Sequence, residues 1–147
     1  MAYVVPTEFV TRMVDAGESK LLMSTRDTLI RAYMAGAILA LAAAFAVSVN
    51  VNSGNPLLGA LLFPVGFILL YLMGFEHSIV NTFLFPSGLM LGGKFTIADY
   101  MIWNEIPTVL GNLVGGLAFT GLTLYATHVL TKPKREVAAK AQSRAAA

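Results

Sequence analysis

Glu76 and His77 are the residues whose placement most suggests chemistry. They follow 44 residues, back to Arg31, that carry no charge at all. An ionisable side chain at membrane depth is costly and defaults to a functional reading. Imidazole titrates close to neutral pH, so His77 could attract an anion when charged, or hand it a proton and let the neutral acid move on. The plainer alternative is a short turn outside the membrane, with neither residue in a pathway. Asn81 follows His77 by four positions and shares its face if the segment is helical. Asn112, one residue after Gly111, is the second buried amide candidate. Either amide could donate to an anionic oxygen, and either could equally tie two helices together.

Other chemistries fit poorly. In the string Glu76-His77-Ser78 adjacent side chains point about 100° apart on a helix, so His77 cannot readily serve Ser78 as a base, and a triad needs converging side chains. The two histidines, His77 and His128, are 51 positions apart, and there is no cysteine. No metal, disulfide, thiol chemistry or cofactor is therefore expected. Gly92-Gly93-Lys94 lacks the first glycine and the hydroxyl residue of a phosphate loop. An enzyme is not the expected class.

The elements that must position these residues are hydrophobic. Of 147 residues, 56% are hydrophobic and 12% charged, with a mean hydropathy of +0.71. A soluble domain carries about 25% charged residues, and a small one cannot hide so much apolar surface. A second uncharged stretch of 26 residues separates Glu105 from Lys132. The pattern predicts an all-α membrane protein of two to three spans. The net charge of +2, with cations gathered toward the two ends, fits topology signals and argues for no nucleic-acid partner. No cleavable signal peptide is expected in the first residues.

Three regions follow. Residues 1–27 read as an amphipathic cytoplasmic lead-in: Phe9, Val10, Met13 and Ala16 recur at helical spacing, and Thr7 is placed to cap the helix. Residues 28–131 read as the transmembrane domain, and residues 132–147 as a basic cytoplasmic tail. Within the domain, the first span covers about Leu29 to Val51, and its many alanines and glycines suit close helix packing. Leu57 to Met73 gives about 26 Å of helix, marginal for a span, and the sequence stays apolar from Ile79 to Leu91. Two half-length helices broken at Glu76-His77 fit this better than one long helix. Lys94 to Glu105 reads as a polar turn. The last span covers about Ile106 to Leu130, with Gly111, Gly115 and Gly116 on a small face and Trp103 and Tyr125 as interface anchors.

Of ten Lys and Arg, four lie at or before residue 31 and five at or after residue 132. The positive-inside bias then favours both termini in the cytoplasm. Three full spans would separate the termini. A middle segment that enters, turns near Glu76-His77 and returns to the same side removes that conflict. The alternative is three spans with one basic end exported against the bias.

The string Gly74-Phe75-Glu76-His77-Ser78-Ile79-Val80-Asn81, then Phe85-Pro86, Ile106-Pro107 and Gly111-Asn112-Leu113-Val114-Gly115-Gly116, resembles the formate/nitrite transporter family. Ala16-Gly17-x-x-Lys20 and Ala35-Gly36 are similar to that family's amino-terminal region. The resemblance implies a bacterial inner (plasma) membrane pore for formate, nitrite or a similar small anion. It further implies an aquaporin-like protomer, a homo-oligomer (a pentamer) in the lipid bilayer, and both termini cytoplasmic. It makes His77 the central pore histidine, Glu76 the glutamate before it, Asn81 the asparagine of the same string, and Asn112 the last-helix asparagine. Family members have six spans and are nearly twice this length. Here the first span and the start of the second are joined to the fifth-helix motif and sixth helix, so only a partial bundle is expected. The family's pore lysine has no counterpart by this reading. An internally deleted, non-transporting remnant of the family is the alternative function.

Overall fold

The computed structural model describes residues 5–130, and the 132–147 tail lies outside the described residues. No strand occurs among them, and the chain is an all-α membrane protein. Helix α1, Pro6–Leu21, opens on Pro6, whose missing N–H suits the first helical position. Val5 is its N-cap residue and no side chain caps the first turn, so Thr7 does not take the capping role expected of it. Helix α2, Thr25–Ser53, is capped by Ser24, whose side chain accepts from the Asp27 N–H at 3.1 Å. It ends at Gly54 in the left-handed conformation. Asn55 caps α3, Pro56–Leu62, which runs through Phe63 into α4, Pro64–Leu72. After a break comes α5, Ser78–Met90.

The last helix, α6, runs from Ile97 to Leu130 over 34 residues. It begins nine residues before the expected Ile106, because Thr96 and Asp99 form a capping box that starts it: each side chain accepts from the other's backbone N–H. The stretch read as a polar turn is therefore partly helical. Tyr100–Glu105 is wound as a π-helix, as are Gly115–Gly121 and Ala126–Leu130.

Packing fixes the direction of each element. Gly59 of α3 lies against Ala46 and Asn50, Gly66 of α4 against Ala42 and Leu39, and Gly74 beside Arg31. As α3 and α4 advance, their partners on α2 recede, so they run antiparallel to α2. Gly111 lies against Leu29, Ala32 and Tyr33, and Gly115 against Tyr33 and Ala37. Gly116 follows against Gly36 and Ala40, so α6 runs parallel to α2. This contact is very close. A Cβ on Gly115 would fall 2.0 Å from the Tyr33 carbonyl oxygen, and one on Gly36 2.1 Å from that of Asn112. The small residues serve the close packing that their spacing predicts.

Helix α5 runs antiparallel to α1 and to the start of α6: Gly88 lies near Met13, Asn81 bonds Asn104, and Phe85 stacks on Tyr100. Since α4 opposes α2, α5 opposes α6, and α2 parallels α6, α4 and α5 point the same way. The middle segment is broken, as expected, but it passes through and does not double back, which corrects the re-entrant reading. The break also sits beside Arg31 and Ala32, at the start of the apolar run of α2 and not at its middle. The reason is length: Pro56–Leu72 is about 26 Å of helix, enough to retrace the whole apolar part of α2.

Helices α2 and α6 are long and apolar enough to cross a membrane, while Pro56–Leu72 and Ser78–Met90 are shorter apolar helices. Leu41, Phe45, Val47, Leu61 and Leu122 are all exposed, as surfaces solvated by lipid can be. With α2 and α6 running in the same direction, the start of α2 and the end of α6 lie at opposite ends of the bundle; the two chain ends, expected to share one side, lie outside the described residues.

Candidate functional site

The break itself is built from backbone. Gly74 adopts φ +63°, a left-handed conformation that side chains disfavour. Its carbonyl accepts from Arg31 Nη1 at 2.9 Å. His77 is extended and serves as N-cap of α5. Asn112, reaching across from α6, holds this geometry. Its Nδ2 donates to the carbonyls of Ala32 (2.7 Å) and Glu76 (2.9 Å), and its Oδ1 accepts from the Ser78 N–H at 3.0 Å. That last bond satisfies one of the amides left unpaired at the start of α5. Asn112 thus clamps α2, the break and α5 to one another, and its amide is fully engaged with backbone.

Glu76 is 2% exposed and its carboxylate is surrounded by donors. Lys20 Nζ of α1 donates to Oε1 at 2.7 Å. Asn81 Nδ2 and Asn104 Nδ2 donate to Oε2 at 3.0 and 3.2 Å. Asn81 also donates to Asn104 Oδ1 at 2.7 Å and accepts from Lys20 at 3.1 Å. The four side chains form a closed network in which a buried negative charge meets a cation and two amides, the condition under which a buried ion pair is tolerated. Beside it, Tyr100 donates to Glu105 Oε2 at 2.7 Å, both residues being buried.

His77 is also buried, but differently. Its ring packs edge-on against Phe67, centroids 5.6 Å apart. Its Nδ1 finds no hydrogen-bond partner among the described residues. The imidazole lies on the wall of a cavity of about 790 Å³ between α1, α4, the break and α5. Arg12, Lys20 and Arg31 are on the same wall, with Glu76 the one carboxylate there; Phe67, Leu70 and Phe83 contribute apolar surface. Arg31 is paired with Asp27, and Arg12 with Glu8.

Of the four residues singled out by sequence, Glu76 and His77 reach the cavity, while Asn81 and Asn112 are held behind its wall. Asn81 is helical four residues after His77, yet its amide turns to Glu76 and not to the imidazole. Sequence reasoning missed Lys20 and Asn104. Lys20 was visible in the Ala16-Gly17-x-x-Lys20 string but read as part of a surface helix. Asn104 was hidden in a segment read as a turn. His128 lies near the far end of α6, its Nδ1 3.1 Å from the Leu124 carbonyl, and takes no part in the site. Among the described residues no cluster of His, Asp and Glu could hold a metal ion.

A family model described as formate/nitrite transporter matches residues 7–74 and, separately, residues 69–126. The chain belongs to the formate/nitrite transporter family. Among its relatives is a probable formate transporter of Methanothermobacter thermautotrophicus, 42% identical over 57 residues, which covers 39% of this chain and 20% of the relative. An uncharacterized transporter of Bacillus subtilis, YrhG, is 28% identical over 130 residues, 88% of this chain and 47% of that protein. The formate channel FocA of Escherichia coli is 28% identical over 74 residues, 38% of this chain and 26% of the channel. The matched stretches thus span less than half the length of each of these relatives. No solved structure matches the chain. Within this formate/nitrite transporter chain, the two family matches meet at residues 69–74, directly before the break that presents Glu76 and His77.

Proposed function

We propose that the chain moves small monovalent anions, formate or nitrite among them, across a lipid bilayer, with His77 as the protonatable group on the path. The observation that carries this reading is the imidazole on the cavity wall, its Nδ1 buried without a partner. A buried polar atom left unpaired is uncommon and calls for an explanation. Arg12, Lys20 and Arg31 on the wall are each paired with a carboxylate, so the added positive charge that an anion would meet is that of His77. A permeating anion still has to shed water at a cost. A charged imidazole offsets part of that cost, and proton transfer from it removes the remainder by making the solute neutral. Glu76, already matched by Lys20 and two amides, sets the charge balance of the site, and Asn81 and Asn112 hold its parts in place. No bond of the solute other than that to the proton is made or broken.

The cavity belongs to a partial, aquaporin-like bundle, so the pathway is completed by further copies of the chain; a pentamer is the assembly that the resemblance implies. The inner membrane of a bacterium is the location that the resemblance implies. Residues 1–27 serve as the amphipathic lead-in at the membrane face, 28–131 as the membrane domain and 132–147 as the basic tail.

A second reading is supported by the short spans matched in the relatives: the chain inserts and associates but transports nothing. Uptake of formate and nitrite into proteoliposomes containing the purified chain, at pH 5 and pH 7, separates the two. Flux above that of empty liposomes is the expected result. No excess flux, with insertion confirmed, overturns the transport reading in favour of the second.

A further inference from the structure

Along α6, polar side chains reach across to the backbone of α2. Thr120 donates to the Ala37 carbonyl at 3.1 Å, and Asn112 to that of Ala32 at 2.7 Å. Thr108 lies four residues before Asn112, on the same stripe of α6, and Thr28 lies four residues before Ala32 on α2. Because the two helices run parallel and Asn112 bonds Ala32, the two threonines share one level of the contact, one turn before that bond. Both are 0% exposed, and the Oγ1 of each finds no hydrogen-bond partner among the described residues. The hydroxyls of Thr11, Ser48, Thr82 and Thr123 turn back to a carbonyl of their own helix. Those of Thr28 and Thr108 neither turn back nor cross to a partner.

An unbonded hydroxyl is costly inside a membrane protein, where no bulk water reaches it. Two of them at one level of one helix contact point to a shared ligand. We infer that Thr28 and Thr108 together hold one water molecule, which bridges α2 and α6. Size limits the ligand: one turn further on, a Cβ on Gly111 would fall 2.5 Å from the Ala32 Cβ, so the helices leave little space between them. Two neutral hydroxyls are too few oxygens for a bound metal cation, which takes about six, and they offer no charge to an anion. A buried water needs two to four polar partners. The Ser24 carbonyl is available to complete the set: it accepts from the Thr28 N–H at 3.0 Å and keeps a second lone pair. The α2–α6 contact is thus joined by a solvent molecule at its start and by direct bonds from Asn112 onward. This inference concerns the helix contact and does not depend on transport.

Thr28→Val and Thr108→Val, which remove the hydroxyl and keep the branched shape, test the bridge by equilibrium unfolding in mixed micelles of dodecyl maltoside and SDS. If each hydroxyl is an isolated orphan, either replacement removes a penalty and the protein becomes more stable. If a water joins them, either replacement strands the remaining polar groups, and the unfolding equilibrium constant should rise about tenfold. The double variant should recover most of that loss, because neither hydroxyl is left behind. Single variants that are unchanged or stabilised, or losses that simply add in the double, overturn the inference. A direct bond between the hydroxyls would give the same cycle, so the water is read separately on the unsubstituted chain in bilayers, labelled at its threonine methyls. In solid-state NMR, magnetisation from water should reach the methyls of Thr28 and Thr108, assigned with the two variants. It should not reach Thr120, which is 4% exposed and bonded to Ala37. No transfer at either Thr28 or Thr108 overturns the water bridge, whatever the unfolding cycle gives.

Discussion

Replacing Lys20 with Met tests whether the network around Glu76 organises the site. The side chain of Lys20 is 20% exposed and that of Glu76 3%. Removing the cation leaves a carboxylate with two amide donors and almost no water, and leaves Asn81 Oδ1 without the donor at 3.1 Å. Breaking a buried pair by deleting one partner costs about 3–5 kcal/mol. Because Lys20 keeps some solvent contact, the lower end applies, and about 3 kcal/mol is expected. Adding Glu76→Gln removes the stranded charge. The double variant should recover to within about 1 kcal/mol of the parent, since a buried ion pair gains little over a neutral replacement. Glu76→Gln alone leaves the partly exposed Lys20 without its carboxylate and should cost about 1 kcal/mol, so the double-mutant cycle gives a coupling of about 3 kcal/mol. Equilibrium unfolding in mixed micelles of dodecyl maltoside and SDS, followed by circular dichroism, reads all four forms. A loss below about 0.5 kcal/mol for Lys20→Met, the level of an exposed ion pair, would refute the buried network.

His77→Ala is expected to leave insertion intact and to abolish the difference in formate flux between pH 5 and pH 7, after subtraction of empty liposomes; a retained pH dependence would remove His77 from the path. Asn112→Ala deletes three hydrogen bonds that hold the break, at about 1 kcal/mol each. A loss of about 3 kcal/mol in the same unfolding assay is therefore expected. Gly115→Val places its Cβ at the Tyr33 carbonyl and should cost at least the 1–3 kcal/mol typical of overpacking, about 3 kcal/mol here, because the obstacle is backbone and cannot rotate away.

Much of the framework could be read from the sequence because it depends on local pattern. The long apolar runs gave the spans, the alanines of α2 and glycines of α6 gave their contact, and Gly74 with a short polar string gave the break. What could not be read depends on pairing between distant positions. Lys20 and Glu76 are 56 residues apart, and nothing in a helical wheel says that a surface-looking lysine turns inward. The start of α6 was obscured because Asp99, Asn104 and Glu105 lower the local hydropathy. In the structure Asp99 caps the helix at the surface, while Asn104 bonds Glu76 and Glu105 bonds Tyr100, so the polarity of the last two is spent inside the protein. The π-wound turn over Tyr100–Glu105 is a device often found at functional sites and leaves no reliable local signature. The re-entrant expectation failed for a related reason. It was drawn from charge counts along the chain, and the direction in which α4 and α5 run is a tertiary property.

The division of labour between Glu76 and His77 follows from the same contacts. Two adjacent ionisable residues could have paired with each other, and the imidazole would then be locked as a structural donor. Instead Asn81 sits one helical turn into α5, where its amide reaches back to Glu76, while Lys20 approaches the same carboxylate from α1. Both carboxylate oxygens are occupied by these partners and Asn104. Because Ser78 is held by Asn112 on the other side of the break, the His77 backbone stays extended and its ring turns toward Phe67 and the cavity. Two neighbouring residues thus face different environments, one a filled network of charges and amides, the other Phe67 and the cavity wall, with a buried Nδ1 that finds no partner among the described residues. The first holds the break in shape, and under the proposed function the second is the group that carries the proton.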